Sequence, residues 1–164
     1  MDQSILPGDQ LPDTRFGWLT ADGELKSATT RELFMRKRVI VVGVPGAFTP
    51  VCSRTHIPQF VSEAPTLLRS GFDRIVVMAR NDPWAMEAWA NVLDPERRLS
   101  FLSDGNLTFG RKIGLTMQAP EYFLGECLQR FVLIANDLVV ERINVERSPE
   151  EVTSTAAQAC QLAA

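Results

Sequence analysis

Two stretches of the chain are apolar almost without interruption: Val39 to Val44 (VIVVGV), and Arg74 to Ala79 (RIVVMA) after its leading arginine. A strand with one wet face alternates in polarity, so unbroken runs predict central strands covered on both faces. Other segments are patterned differently. Phe16 to Thr20 and Glu24 to Lys26 flank the turn Ala21-Asp22-Gly23 and predict a hairpin. Thr29-Thr30-Arg31-Glu32 fits a capping box opening a short helix. A long helical pattern runs from Thr49 to about Arg69, with Pro58 and Pro65 expected to kink or interrupt it. Asp82-Pro83 caps and starts a helix reaching about Leu93. Ser100 to Leu102 reads as a short strand, and Leu107 to Ile113 as a short helix ending at Gly114. Phe131 to Ala135 and Leu138 to Val145 flank Asn136-Asp137 as a tight hairpin. Ser148-Pro149-Glu150-Glu151 predicts the start of a last helix. Residues 1–15 form an extended lead-in, and Gly125-Glu126-Cys127 a polar loop.

Buried parallel strands joined by helical crossovers, closed by an antiparallel hairpin and a helix, define an α/β class. The expected architecture is a thioredoxin-like fold: a central mixed sheet flanked by helices, with an N-terminal β-hairpin extension. One domain, 1–164, is expected from the length.

Composition narrows the partners. The formal net charge is -3, which argues against nucleic acid or an anionic membrane surface as the main partner. The opening MDQSILPGDQ lacks the basic and apolar regions of a signal peptide. The cysteines, Cys52, Cys127 and Cys160, are three and widely spaced, so free thiols in a reducing compartment are expected, the cytoplasm by default.

Cys52 follows the most hydrophobic strand and falls in the first turn of the long predicted helix. Unpaired amides and the positive end of the helix dipole favour thiolate over thiol there. Lowering a thiol by two pKa units takes about 2.7 kcal/mol, whereas a helix terminus supplies about 0.3–1 kcal/mol and up to ~2 in a favourable site. A neighbouring cation is therefore required. Dithiol enzymes carry C-x-x-C at such a turn, and here the same spacing reads Thr49-Pro50-Val51-Cys52. A hydroxyl in the first thiol's place forbids an intramotif disulfide and leaves one thiolate beside a hydrogen-bonding group. That pairing suits a peroxide.

The segment VPGAFTPVCSRTHIPQF resembles the active-site segment of the peroxiredoxins, whose motif Pro-x-x-x-Thr/Ser-x-x-Cys it matches at Pro45, Thr49 and Cys52. The wording is most similar to the fifth mammalian-type group, which includes the plant and bacterial type-II enzymes. The likeness extends through ARNDPWAMEAWA, LSDGNLTF and RFVLIANDLVVERINVE. It implies a thiol-dependent peroxidase needing no cofactor, in which Cys52 attacks hydrogen peroxide or an alkyl hydroperoxide and becomes a sulfenic acid. Thr49 would hydrogen-bond the peroxide, Pro45 would shield the thiolate, and Gly46 would offer its amide. Arg130, matching the arginine of the family's "RF" strand, would supply the missing cation. Phe48 and Phe123 would line the mouth of the site or a subunit contact, and the family implies a homodimer.

The remaining candidates have simpler readings. His56, four residues after Cys52 on one helix face, is either a base or a structural hydrogen-bonding residue. Three cysteines and one histidine could also count as a zinc set, but their spacing is unlike compact zinc motifs. Cys160 falls on an apolar stripe with Val152, Ala156 and Ala163 and reads as packed core. Trp84 and Trp89 read as core or interface.

The resemblance breaks at the second cysteine. Animal members carry it after "NVE", where this chain has Ser154, and plant members in the second strand, where it has Val77. Either Cys127 resolves the sulfenate, or an external thiol does so: glutathione with glutaredoxin, or thioredoxin. The external thiol is the favoured expectation. A redox sensor that passes its oxidation to a partner protein is the alternative function, and an inactive binding module a weaker third.

Overall fold

The computed structural model describes residues 4–148, 150–153 and 155–161. Its strands are β1 (Arg15–Leu19), β2 (Leu25–Thr29), β3 (Arg38–Gly43), β4 (Arg74–Ala79), β5 (Ser100–Ser103), β6 (Thr116–Ala119), β7 (Gly125–Leu128), β8 (Phe131–Asn136) and β9 (Val139–Val145). Seven of them form one sheet in the order β2-β1-β5-β4-β3-β8-β9, and β6 pairs with β7 apart from it. β3, β4 and β5 run parallel, and the β1–β2 and β8–β9 hairpins close the two sides antiparallel. The expected thioredoxin-like mixed sheet, with its N-terminal hairpin, is the observed one.

The helices are α1 (Thr30–Phe34), α2 (Ile57–Arg69), α3 (Pro83–Leu93), α4 (Thr108–Lys112) and α5 (Ala157–Gln161). The unbroken apolar runs earn their central places by feeding two cores at once. Val39 and Val41 pack with Phe16, Phe34, Phe109 and Phe131 on one face, under α1 and α4. Ile40 and Val42 pack with Ile57, Phe60, Leu67 and Trp89 on the other, under α2, α3 and α5. Cys52 and Cys160 both belong to the second core.

Local signals account for several helix ends. Thr29 caps α1 by accepting from the Glu32 amide, and Asp82 caps α3 by accepting from the Ala85 amide. Gly114, at φ +73°, follows α4 where a side chain would be strained.

Several expectations need correction. The turn of the second hairpin is Asp137-Leu138, both at positive φ, one residue later than expected, because Asn136 still pairs with Val139. Pro65 does not interrupt α2, which runs on to Arg69; the carbonyl it leaves without an amide donor, on Val61, accepts from Arg98 Nη1 at 3.4 Å. Pro58 acts earlier, where the helix widens to a π-turn over Cys52–His56 closed by the Ile57 amide on the Cys52 carbonyl. Cys127 lies in no polar loop. It sits fully buried in β7, whose four-residue hairpin with β6 is too short to pattern visibly. No helix starts at Ser148: the Glu146 carboxylate gathers the donors of the following segment into turns, and helix resumes only at Ala157. Val152 and Ala156 therefore share no helix stripe with Cys160, which is buried all the same. Trp89 is core, whereas Trp84 is exposed. Pro149, Ser154 and Ala163 lie outside the described residues.

Gly43 fixes how β8 meets β3. The two pair at Gly43↔Phe131, and a Cβ on Gly43 would come within 2.1 Å of the Phe131 ring. The ring lies across the glycine, which lets Arg130 leave the sheet beside the end of β3. Gly43→Ala is expected to cost about 1–3 kcal/mol through overpacking, and denaturant unfolding will measure it; a neutral substitution would contradict the packing described.

Candidate active site

The chain leaves β3 at Gly43, runs through Val44 to Thr49 and enters helix at Pro50. Proline suits a first helical position, where no amide donor is needed. The Ser53 amide makes the first intrahelical bond, to the Thr49 carbonyl at 2.9 Å. The amides of Val51 and Cys52 precede it and stand at the positive helix end. The loop is held from outside: the Ala47 amide donates to Asn81 Oδ1 at 2.8 Å, and Trp89 Nε1 donates to Ser53 Oγ at 2.9 Å. Phe48 turns the chain at φ 63°, a conformation a bulky residue adopts only when its surroundings impose it.

Cys52 is wholly buried, and Arg130 reaches it from the residue preceding β8. Arg130 Nη2 donates to Cys52 Sγ at 3.1 Å, and Nη1 donates to His56 Nδ1 at 2.7 Å. His56 Nε2 donates in turn to the Thr155 carbonyl at 3.0 Å. These bonds require one tautomer: neutral imidazole with its proton on Nε2. Burial, followed by the charge of Arg130, lowers His56 from 6.5 to about 4, so the ring is neutral at pH 7. A neutral ring with both nitrogens engaged is a hydrogen-bonding support rather than a base. A buried guanidinium, for its part, favours an anion beside it, since burying its charge unpaired is costly.

Thr49 completes the near side. Its hydroxyl donates to the Gly46 carbonyl at 2.8 Å, leaving its lone pairs to accept. Pro45, Thr49 and Arg130 line a cavity of about 530 Å³, together with Pro50, Val51, Tyr122, Leu124 and Glu150. Tyr122 donates to the Glu150 carboxylate at its rim. Tyr122, Leu124 and Glu150 carry no motif, and only the fold brings them here. Gly46, Phe48 and Phe123 do not line this cavity. Gly46 sits behind it, where a Cβ would press on Leu124 and Thr49 at 3.3 Å. Phe48 is 54% exposed beside Trp89, and Phe123 is 94% exposed at φ 58°.

The other thiols are different in kind. Cys127 and Cys160 are free and buried, and burial raises both, Cys160 to about 11. Neither is an activated nucleophile.

The thioredoxin-like sheet, with a lone thiol at a helix start under an arginine, defines a thiol redox protein. Comparison with known proteins makes this specific. The Redoxin family profile matches residues 6–159. Peroxiredoxin-2C of rice, Oryza sativa subsp. japonica, is 37% identical over 93% of this chain and 94% of its own length. Peroxiredoxin-2B of Arabidopsis thaliana is 36% identical over the same shares. Among solved structures, reduced Prx3 of Vibrio vulnificus in complex with H2O2 superposes with a TM-score of 0.89 at 32% identity, covering 97% of this chain and 95% of that one. The chain belongs to the peroxiredoxins of the type-II kind, and is a thiol-dependent peroxidase.

The state of His56 gives a pH test. Its pKa is lower in the folded protein than the ordinary 6.5, so the unfolded chain binds the proton more readily between pH 6.5 and about 4. Stability is therefore full above that window and falls as pH drops through it, by on the order of 3 kcal/mol in total. It is the chain's one histidine. Denaturant unfolding at pH 7, 6 and 5 should show the loss in the wild type and a flatter profile in His56→Gln; equal slopes would contradict a buried neutral ring.

Proposed function

We propose that Cys52 is the peroxidatic thiolate of a peroxidase acting on hydrogen peroxide and small alkyl hydroperoxides. The observation that carries this reading is the Arg130 guanidinium within 3.1 Å of the buried Cys52 Sγ, Arg130 itself lining a cavity with Thr49 and Pro45. The sulfur attacks the terminal peroxide oxygen, the O–O bond breaks, and the far oxygen leaves with the electron pair. That oxygen takes a proton and departs as water or alcohol, while Cys52 becomes a sulfenic acid. Arg130 faces the charge developing on the leaving oxygen. Thr49, its own proton engaged by Gly46, accepts the hydrogen bond of the peroxide O–H. Pro45 keeps water from the sulfur.

The same reading assigns reduction to an external thiol, glutathione with glutaredoxin or thioredoxin, in a reducing compartment such as the cytoplasm. The first thiol attacks the sulfenic sulfur, releasing water and leaving a mixed disulfide. A second thiol displaces it as a disulfide and restores Cys52. The burial of Cys127 within β7, which also raises its thiol pKa, supports this over an internal disulfide. A homodimer is part of the proposal, and the nearly bare Phe123 ring favours a covered face beside the site.

Treating reduced protein with one equivalent of hydrogen peroxide, with and without glutathione, tests both halves by mass spectrometry. A sulfenic acid or glutathione adduct on Cys52 is expected, with peroxide consumption abolished in Cys52→Ser. A Cys52–Cys127 disulfide would overturn the external-thiol route, and full activity in Cys52→Ser would overturn the peroxidase assignment to this residue. Repeated turnover with supplied thiol separates a peroxidase from a sensor, which would stop after one cycle.

A further inference from the structure

The buried carboxylate of Glu146, just past the end of β9, takes no part in the chemistry above, yet four donors converge on it. Oε1 accepts from the amides of Thr153 at 2.6 Å and Thr155 at 2.9 Å, and from the Thr155 hydroxyl at 2.9 Å. Oε2 accepts from the Thr153 hydroxyl at 3.0 Å. Burial raises its pKa, but these four bonds outweigh burial and hold it at about 2, so it stays ionised.

The backbone of the same residue points the other way. The Glu146 amide donates to the Arg130 carbonyl at 2.9 Å. Followed onward, the bonds form a closed circuit. The carboxylate holds Thr155, the Thr155 carbonyl holds His56 Nε2, and His56 Nδ1 holds Arg130 Nη1, which returns to the residue whose carbonyl Glu146 binds. Arg130 is thus fixed at both its main chain and its guanidinium, with Nη2 directed at Cys52. A flexible arginine could satisfy its donors in many ways, and the circuit restricts them.

We propose that Glu146 is a positioning residue of the peroxidase site, acting through Thr155 and His56 to hold the Arg130 guanidinium against Cys52. It touches neither sulfur nor peroxide. Its effect reaches the reaction only by way of the ring it closes, and it rests on the reading of Cys52 as the peroxidatic thiolate.

The test uses Glu146→Gln, His56→Leu and the double variant, each confirmed folded by circular dichroism. Two quantities are measured on reduced protein: the single-turnover rate of Cys52 oxidation by hydrogen peroxide, and the pH profile of Cys52 alkylation by iodoacetamide. Glutamine cannot accept from all four donors, so Glu146→Gln should slow oxidation roughly tenfold, the rate effect of ~1.4 kcal/mol, and move the alkylation profile to higher pH. In the His56→Leu background, where the circuit is already open, adding Glu146→Gln should change either quantity little. Glu146→Gln that lowers the melting temperature but leaves rate and profile as in the wild type would make Glu146 a loop staple and overturn the proposal. An undiminished effect in the His56→Leu background would overturn the route through His56. If Glu146→Gln does not fold, Thr155→Val, which removes one of the four bonds, takes its place in both backgrounds: a slowed rate and shifted profile support the proposal, and an unchanged rate and profile overturn it. Wild-type Cys52 inert to peroxide, with the alkylation profile still shifted by Glu146→Gln, would defeat the peroxidase reading and leave the positioning role standing.

Discussion

A guanidinium placed against a sulfur, both out of water, is the interaction on which this structure turns. In water such a pair would gain little, because the solvent screens it. Buried, a guanidinium is costly unless its donors find partners, and Cys52 Sγ and His56 Nδ1 are two of them. The fold therefore has to deliver Cys52 and Arg130 from positions 78 residues apart to a separation of 3.1 Å.

It does so with a sheet rather than a flexible loop. β3 and β8 are neighbours, paired from Arg38↔Asn136 to Gly43↔Phe131, so the end of one lies beside the start of the other. Cys52 follows that end by way of a turn and a helix start, and Arg130 immediately precedes the other. The π-turn over Cys52–His56 places the cysteine and histidine that the arginine bridges. Glycine at 43 keeps the junction thin enough for Phe131 to lie across it. Packing energy from both cores thus holds a polar arrangement that would not assemble by itself.

Much of this is legible along the chain, because central strands and helix caps leave local signatures. The runs at β3 and β4, the Asp82-Pro83 cap and the Thr49-to-Cys52 spacing each follow from nearest-neighbour chemistry. What escapes depends on contacts distant in sequence. β6 and β7 are four residues each and are defined by one another, so Cys127 reads as loop. The turns after Glu146 are set by a carboxylate rather than by Ser148, whose neighbourhood alone reads as a helix start. Tyr122 and Leu124, from the β6–β7 connection, and Glu150, from the segment after β9, come to the cavity wall with no shared pattern. The tautomer of His56 follows only from its two partners, one of them a backbone carbonyl 99 residues away.

The most direct test of the central contact is the 240-nm thiolate absorbance of the reduced protein at about pH 7, with the Cys52→Ser signal subtracted. A Cys52 thiolate is expected in the wild type, better retained in Arg130→Lys than in the neutral, similarly sized Arg130→Met, where it should be lost. A thiolate signal absent from the wild type, or as strong in Arg130→Met, would contradict the pairing of guanidinium and sulfur.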